Sequence, residues 1–124
     1  MSEVTVTHLK EILMPSPLII INGTTQVLAS DIPEFIRSTK ACAAETVKEP
    51  GCVYYYTGQD LAEPNLFRLS EGWTDQDALD AHLVSPHFKL AMREVAAITL
   101  EAVTIKRYSV TGETDLSDLI LPKG

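Results

Sequence analysis

The sequence predicts an α+β domain of the ferredoxin-like type, with the element order βαββαβ and a four-stranded antiparallel sheet. The 124 residues suffice for one domain, and the 45% hydrophobic and 22% charged residues are a globular composition. Two segments with helical periodicity alternate with four short runs of aliphatic, β-branched or aromatic residues. Their order is that of two split βαβ units, which gives the fold class.

The first half of the chain predicts one strand and one helix. Residues 18–28 begin with four aliphatic side chains and continue with threonine and valine, which is typical of a strand. Asp31 is a suitable helix cap, and Glu34 three residues later completes a capping box. Apolar or small residues then recur at helical spacing: Phe35, Ile36, Thr39, Cys42, Ala43, Thr46 and Val47.

The second half predicts a hairpin, an interrupted helix and a last strand. Residues 52–57 and 66–73 are close in sequence, so we expect them to pair antiparallel. The second helix begins near Thr74. It breaks at Ser85-Pro86 and restarts there, with Ser85 as the new cap. Residues 101–110 form the fourth strand.

These elements divide the chain into a leader, a domain and a tail. The domain spans residues 17–110, after the boundary set by Pro15 and Pro17. The leader, residues 1–16, has Leu9, Ile12 and Leu13 on one face of a short helix. The tail, residues 111–124, contains a second apolar patch of leucines and one isoleucine.

The predicted strands are apolar on both alternating sets of positions, as residues 18–21 and 53–56 show. Two helices can cover only one face of a four-stranded sheet. The other face then needs a cover, and a second copy of the same sheet supplies one. We therefore expect a homodimer.

Composition excludes several classes of partner. A formal charge of −7 argues against nucleic acid as a partner, because a polyanion requires clustered lysine and arginine. The longest strongly apolar run, residues 18–21, is too short to cross a membrane, and we see no secretory signal. The expected location is cytoplasmic. Cys42 and Cys52 are expected to be core residues.

Motifs for common cofactors are absent. The sequence has no glycine-rich phosphate loop and no Gly-x-Ser-x-Gly elbow. His82 and His87 are five positions apart, whereas a spacing of four aligns two ligands on one helix face. We therefore expect no metal site, and no motif indicates flavin, nicotinamide or haem.

Several residues with polar atoms stand within apolar patterns. His82 follows Leu79 by three positions and is either a general base or a core histidine bonded to a backbone carbonyl. Trp73 is either a plug beneath the helix or the wall of an aromatic pocket. Glu71 shares strand parity with Trp73, so it is either a paired structural carboxylate or part of a site. His87 is expected to be solvated.

Candidate binding residues lie on the strands. Asn22 interrupts the aliphatic run of the first strand and either binds a ligand oxygen or ends the buried part of the strand. Tyr54, Tyr55 and Tyr56 are consecutive and must face both sides of the sheet. At least one should line a cavity and at least one should enter the dimer interface.

Three stretches together resemble the antibiotic biosynthesis monooxygenase domain, a group that includes quinol monooxygenases and belongs to the dimeric α+β barrel superfamily. The likeness covers roughly residues 17–110, and 73–88 is its most specific part. The stretches are Glu49-Pro50-Gly51-Cys52-Val53-Tyr54-Tyr55-Tyr56, Glu71-Gly72-Trp73-Thr74, and Ala78-Leu79-Asp80-Ala81-His82-Leu83-Val84-Ser85-Pro86-His87-Phe88.

The resemblance implies a homodimer that oxidises small phenols, quinols or polyketide-like aromatics with dioxygen and without metal, flavin or haem. It implies His82 as the base with Trp73 and Glu71 in the catalytic group. The substrate-binding residues would be Asn22, Tyr54, Tyr56 and Phe88. A haem-degrading branch is discounted, because its tryptophan and haem-ligating histidine positions fall on His82 and Met92.

Two other functions stay open. The chain could be a non-catalytic, ligand-binding homodimer, or an isomerase or lyase on the same fold. The enzyme hypothesis predicts that His82, Trp73 and Glu71 converge on a closed cavity.

Overall fold

Four antiparallel strands form one sheet in the order β2-β3-β1-β4 in the computed structural model, which describes residues 16–120. The strands are β1 (Ile19–Val27), β2 (Cys52–Gln59), β3 (Leu66–Trp73) and β4 (Leu100–Ser109). This order confirms the predicted ferredoxin-like α+β fold. The leader, apart from Ser16, and the last four residues of the tail lie outside the described residues.

Three α-helices lie within the described residues: α1 (Ile32–Thr46), α2 (Gln76–Leu83) and α3 (Pro86–Ala96). The predicted break is confirmed, since α2 ends before Ser85 and α3 starts at Pro86. The Ser85 hydroxyl accepts a hydrogen bond from the Phe88 backbone N–H, and Pro86 needs no such partner. Within residues 16–120, no helix is long and apolar enough to cross a membrane.

The start of α1 differs from the predicted capping box. A 3₁₀ turn over Ala29–Asp31 precedes the helix, and the Asp31 side chain caps no N–H of α1. Its carboxylate instead accepts a hydrogen bond at 3.0 Å from the backbone N–H of Thr99, before β4. A partner distant in sequence therefore replaces the local cap.

The helices cover one face of the sheet, where two apolar clusters form the core. One joins Val27 and Phe67 to Phe35 of α1. The other joins Trp73 to Leu79 of α2 and also contains Ile19, Ile21 and Cys52. Cys42 and Cys52 are buried in the core, as predicted.

A bulge in β2 decides which tyrosine faces the helices. Cys52 pairs with Trp73 and Tyr54 pairs with Gly72, so Val53 is the extra residue. The bulge changes the alternation, and Cys52 and Tyr55 both face the helices although they are three residues apart. Tyr54 and Tyr56 face the opposite side, where their rings stack with centroids 5.5 Å apart.

Candidate functional site

His82 lies at the end of α2 inside a ring of aromatic side chains. It is 1% exposed. The centroids of Trp73 and Phe88 are each 4.8 Å from the imidazole centroid, and the centroid of Tyr55 is 5.7 Å away. We call these three side chains, Tyr55, Trp73 and Phe88, the aromatic box. The Nε2 atom of His82 is buried in these surroundings.

A glutamate holds the other ring nitrogen. His82 Nδ1 lies 2.7 Å from Glu49 Oε2, and His87 Nε2 lies 2.8 Å from the same oxygen. An ionised carboxylate only accepts hydrogen bonds, so each of these nitrogens carries the hydrogen it donates. The neutral His82 imidazole then has its lone pair on Nε2. That atom is buried and has no hydrogen-bond partner among the described residues.

The turn that follows α1 brings Glu49 to this position. Gly51 packs so closely on α2 that a Cβ built on it would lie 2.2 Å from the Cβ of Ala78. The Gly51 carbonyl also accepts a hydrogen bond from Thr74 N–H at 2.9 Å. The lack of a side chain at Gly51 therefore lets the turn dock on α2 and place Glu49 beside His82.

Burial controls the protonation of His82. Desolvation lowers the pKa of the imidazole below its ordinary value of 6.5, while the hydrogen bond and charge of Glu49 act in the opposite direction. His82 is therefore neutral at pH 7. The combination of a carboxylate on Nδ1 and a free lone pair on Nε2 is the arrangement of an oriented general base.

Glu71 and Trp73 form a second buried polar pair beside this histidine. Trp73 Nε1 donates a hydrogen bond to Glu71 Oε1 at 2.9 Å, and the glutamate is 6% exposed. Desolvation raises the pKa of Glu71 to about 7, partly offset by the bond from Trp73. The carboxyl group is thus partly protonated at neutral pH. Such protonation is uncommon for a glutamate in general, but strongly shifted pKa values are frequent at functional sites.

A cavity of about 200 Å³ lies between the sheet and helices α1 and α3. Its wall is mainly apolar and includes Phe35, Phe67, Met92 and Val103, while Tyr55, Cys42, Arg68 and three threonines carry polar atoms. Burial raises the pKa of both the Tyr55 hydroxyl and the Cys42 thiol, so both keep their protons. The cavity therefore offers hydrogen-bond donors but no charge at these two positions.

The predicted catalytic residues do not line this cavity. His82, Trp73 and Glu71 lie together in the core as predicted, but they lie outside the cavity wall. The expected convergence on a cavity is therefore incomplete. Tyr55 contacts the His82 ring and also lines the cavity, so it connects the two regions.

The predicted binding residues are split between the two faces of the sheet. Phe88 belongs to the aromatic box. Tyr54, Tyr56 and Asn22 lie on the face away from the helices, where Asn22 Oδ1 accepts a hydrogen bond from Ser70 at 3.1 Å. That face has an open depression lined by polar residues such as Arg68 and Lys106 in addition to Asn22.

Sequence reasoning did not assign Glu49 or His87 to the site, and it selected Tyr54 and Tyr56 as binding residues rather than Tyr55. The prediction that His87 is solvated was wrong, since its ring bonds Glu49 and is only 20% exposed. The five-residue spacing argument assumed one continuous helix, whereas the chain breaks at Ser85 and both histidines contact the same Glu49 oxygen. One feature of the sequence could have indicated Glu49: it begins the Glu-Pro-Gly turn that directly precedes β2.

Comparison with known proteins adds the family. The model of the antibiotic biosynthesis monooxygenase family matches residues 18–94, more than half of the chain. An uncharacterized protein of Synechocystis is 28% identical over 92 residues, which is 74% of this chain. The chain spans only 63% of the length of that relative.

Solved structures share the fold. A conserved protein from Methanosarcina mazei is 28% identical with a TM-score of 0.70, over 82% of this chain and 96% of that one. A protein from Deinococcus radiodurans, assigned to the antibiotic biosynthesis monooxygenases, has a TM-score of 0.73 at 23% identity, over 79% of this chain and 97% of that one. At that identity the second likeness concerns the fold alone. From the match to the family model, this chain belongs to the antibiotic biosynthesis monooxygenase family.

Proposed function

We propose that this protein is a monooxygenase that oxidises a small phenol or quinol with dioxygen, without a cofactor, and that His82 is its general base. One observation supports this most directly. The His82 Nε2 lone pair is buried and has no partner within residues 16–120, while Glu49 holds Nδ1 at 2.7 Å. A buried acceptor without a donor destabilises a fold by about 1–3 kcal/mol, so we infer that a substrate hydroxyl supplies the donor.

The chemistry balances without an added reductant, as a hydroquinone shows. His82 Nε2 takes one phenolic proton, and the resulting anion transfers an electron to dioxygen. Recombination at a ring carbon gives a peroxide, which takes back the proton from His82. Loss of the carbon-bound proton and of hydroxide then gives a hydroxyquinone and water. The substrate supplies all four electrons, and a dry site protects the peroxide.

The cavity volume indicates the size of the substrate. An apolar cavity of about 150 Å³ holds benzene, whereas drug-sized ligands need about 300 Å³ or more. A cavity of about 200 Å³ therefore favours a single aromatic ring. Tyr55 contacts both the cavity and His82, so rotation of its ring is the motion that we expect to admit the substrate hydroxyl to Nε2.

Oxygen uptake by the purified full chain tests this proposal. Substituted one-ring hydroquinones, naphthols and anthrones are supplied with a chelator, and boiled protein corrects for autoxidation. We expect uptake with one-ring compounds above that background. His82→Gln should lower kcat by about 100-fold or more, as expected for loss of a general base. Lys89→Gln, at an exposed position of α3, is the matched control. Uptake unchanged in His82→Gln contradicts the assignment of the base.

The separation of His82 from the cavity favours a second candidate, a non-catalytic protein that binds an apolar ligand. The cavity wall is mainly apolar and the catalytic candidates lie outside it. Titration of the same phenols by calorimetry separates the two functions. Saturable binding without oxygen uptake supports the second candidate, and turnover supports the first.

We also propose that the protein acts as a homodimer. The sheet face away from the helices exposes Tyr56 by 52% and Tyr108 by 48%, and Leu18, directly before β1, is 52% exposed. Burying such side chains is favourable, and a second copy offers the same surface in return. Light scattering after size exclusion measures the mass, and a monomer at micromolar concentration contradicts the proposal.

A further inference from the structure

We propose that Glu49, His82 and His87 form a binding site for one divalent transition-metal ion of the Zn²⁺ class. One donor atom from each side chain lies within 4.8 Å of the other two. Glu49 Oε2 is already 2.7 Å from His82 Nδ1 and 2.8 Å from His87 Nε2. Tetrahedral coordination with metal–donor bonds of about 2.1 Å needs donors about 3.4 Å apart. Small side-chain rotations are thus enough to admit the ion.

The donor types select the metal. Two imidazoles and a carboxylate suit Zn²⁺, Co²⁺, Ni²⁺ and Cu²⁺, whereas Mg²⁺ and Ca²⁺ prefer all-oxygen sites. Three protein ligands with a fourth position for water are the pattern of open zinc sites. The ion would lie between the buried His82 and the partly exposed Glu49 and His87, whose side chains are 16% and 20% exposed. Solvent can therefore reach the fourth position.

Three separate parts of the chain build this cluster. Gly51 lets the turn with Glu49 dock on α2, whose last turn supplies His82. The break at Ser85 redirects the chain, and the first turn of α3 then supplies His87. The Ser85 hydroxyl donates to the His82 carbonyl at 2.7 Å and so ties the two helices together at the break. The three side chains are therefore held in place by the docking of the Gly51 turn on α2 and by the link between α2 and α3 at Ser85.

Metal binding would switch the tautomer of His82. A metal ion on Nδ1 occupies the lone pair there, so the hydrogen of the neutral ring must move to Nε2. Nε2 then no longer offers a lone pair inside the aromatic box. This consequence rests on the proposed function: a Zn²⁺-loaded protein would lack its base, and metal binding and oxygenation would exclude each other.

Titration of the full chain with Co²⁺ and Zn²⁺ tests the site independently of any activity. We expect one ion per chain, with the visible absorption of four-coordinate Co²⁺. Glu49→Gln and His87→Asn should each weaken binding by at least about tenfold. His87 is partly exposed, so its variant should fold even if a Glu49 variant does not. Two control variants should bind like the wild type. They are Glu45→Gln, which changes an exposed carboxylate of α1, and His8→Asn, which changes the one histidine outside the proposed site.

Three outcomes would overturn the inference or its consequence. Binding that is absent, or that is unchanged in both ligand variants, overturns the site. Binding lost in His8→Asn places the ion elsewhere and also overturns it. Oxygen uptake that persists in the Zn²⁺-loaded protein overturns the switch alone. An inactive metal-free protein that still binds Co²⁺ contradicts the proposed function and leaves the site standing.

Discussion

Replacing Glu71 by glutamine should stabilise the protein at alkaline pH and remove a pH dependence of its stability. Burial raises the pKa of this carboxyl group to about 7 from 4.5 in the unfolded chain. Below pH 4.5 both states are protonated. As the pH rises, the unfolded state loses its proton first, so the free energy of unfolding falls until the native carboxyl also ionises near pH 7.

The magnitude follows from the same pKa values. One pKa unit corresponds to about 1.4 kcal/mol, so the full loss is about 3 kcal/mol. The protein has a pI near 4.8, so measurements are best begun at pH 5.5. Between pH 5.5 and pH 8.5 the wild type should lose about 2 kcal/mol relative to Glu71→Gln. Glutamine keeps an oxygen acceptor for Trp73 Nε1 and carries no charge.

Urea unfolding at a series of pH values gives this difference directly, with chelator present throughout. Trp73 is the only tryptophan of the chain and is fully buried, so its fluorescence reports unfolding. Glu101→Gln removes an equal charge at an exposed position and serves as the control. If the wild type and Glu71→Gln differ by the same free energy at every pH, Glu71 does not titrate as argued.

Two further predictions concern the docking of the elements around His82. Gly51→Ala should lower the free energy of unfolding in urea by about 1–3 kcal/mol, because the new methyl group would overlap Ala78. The same variant should also weaken Co²⁺ binding. Unchanged stability and binding would contradict the close approach of Gly51 to α2. Ser85→Ala should lower the free energy of unfolding by about 1 kcal/mol through loss of the cap of α3, whereas Ser117→Ala, in the tail, should have a smaller effect.

Local patterns sufficed to predict the elements. The predicted third strand, residues 66–73, has the same bounds in the structure, and the predicted helix break at Ser85-Pro86 is present. Alternation along β3 also predicted that Glu71 is buried with Trp73. Strand bounds, helix breaks and side-chain alternation depend on residues a few positions apart, so they can be predicted from the local sequence.

Contacts between distant residues decided the site. Glu49 meets His82 and His87 across 33 and 38 positions. No periodicity relates residues so far apart, because the approach depends on how the turn at Gly51 packs against α2. The resemblance nevertheless included both Glu49 and His82 within its matching stretches.

The sequence by itself determined the βαββαβ order and the buried carboxylate of Glu71, because hydrophobic periodicity acts locally. Only the tertiary structure decided which tyrosine faces the helices and which partner His82 has. The bulge at Val53 turns Tyr55 inward and leaves Tyr54 and Tyr56 on the opposite face. A one-residue shift in a strand reverses the direction of every side chain beyond it, and strand pairing rather than the local pattern sets that shift.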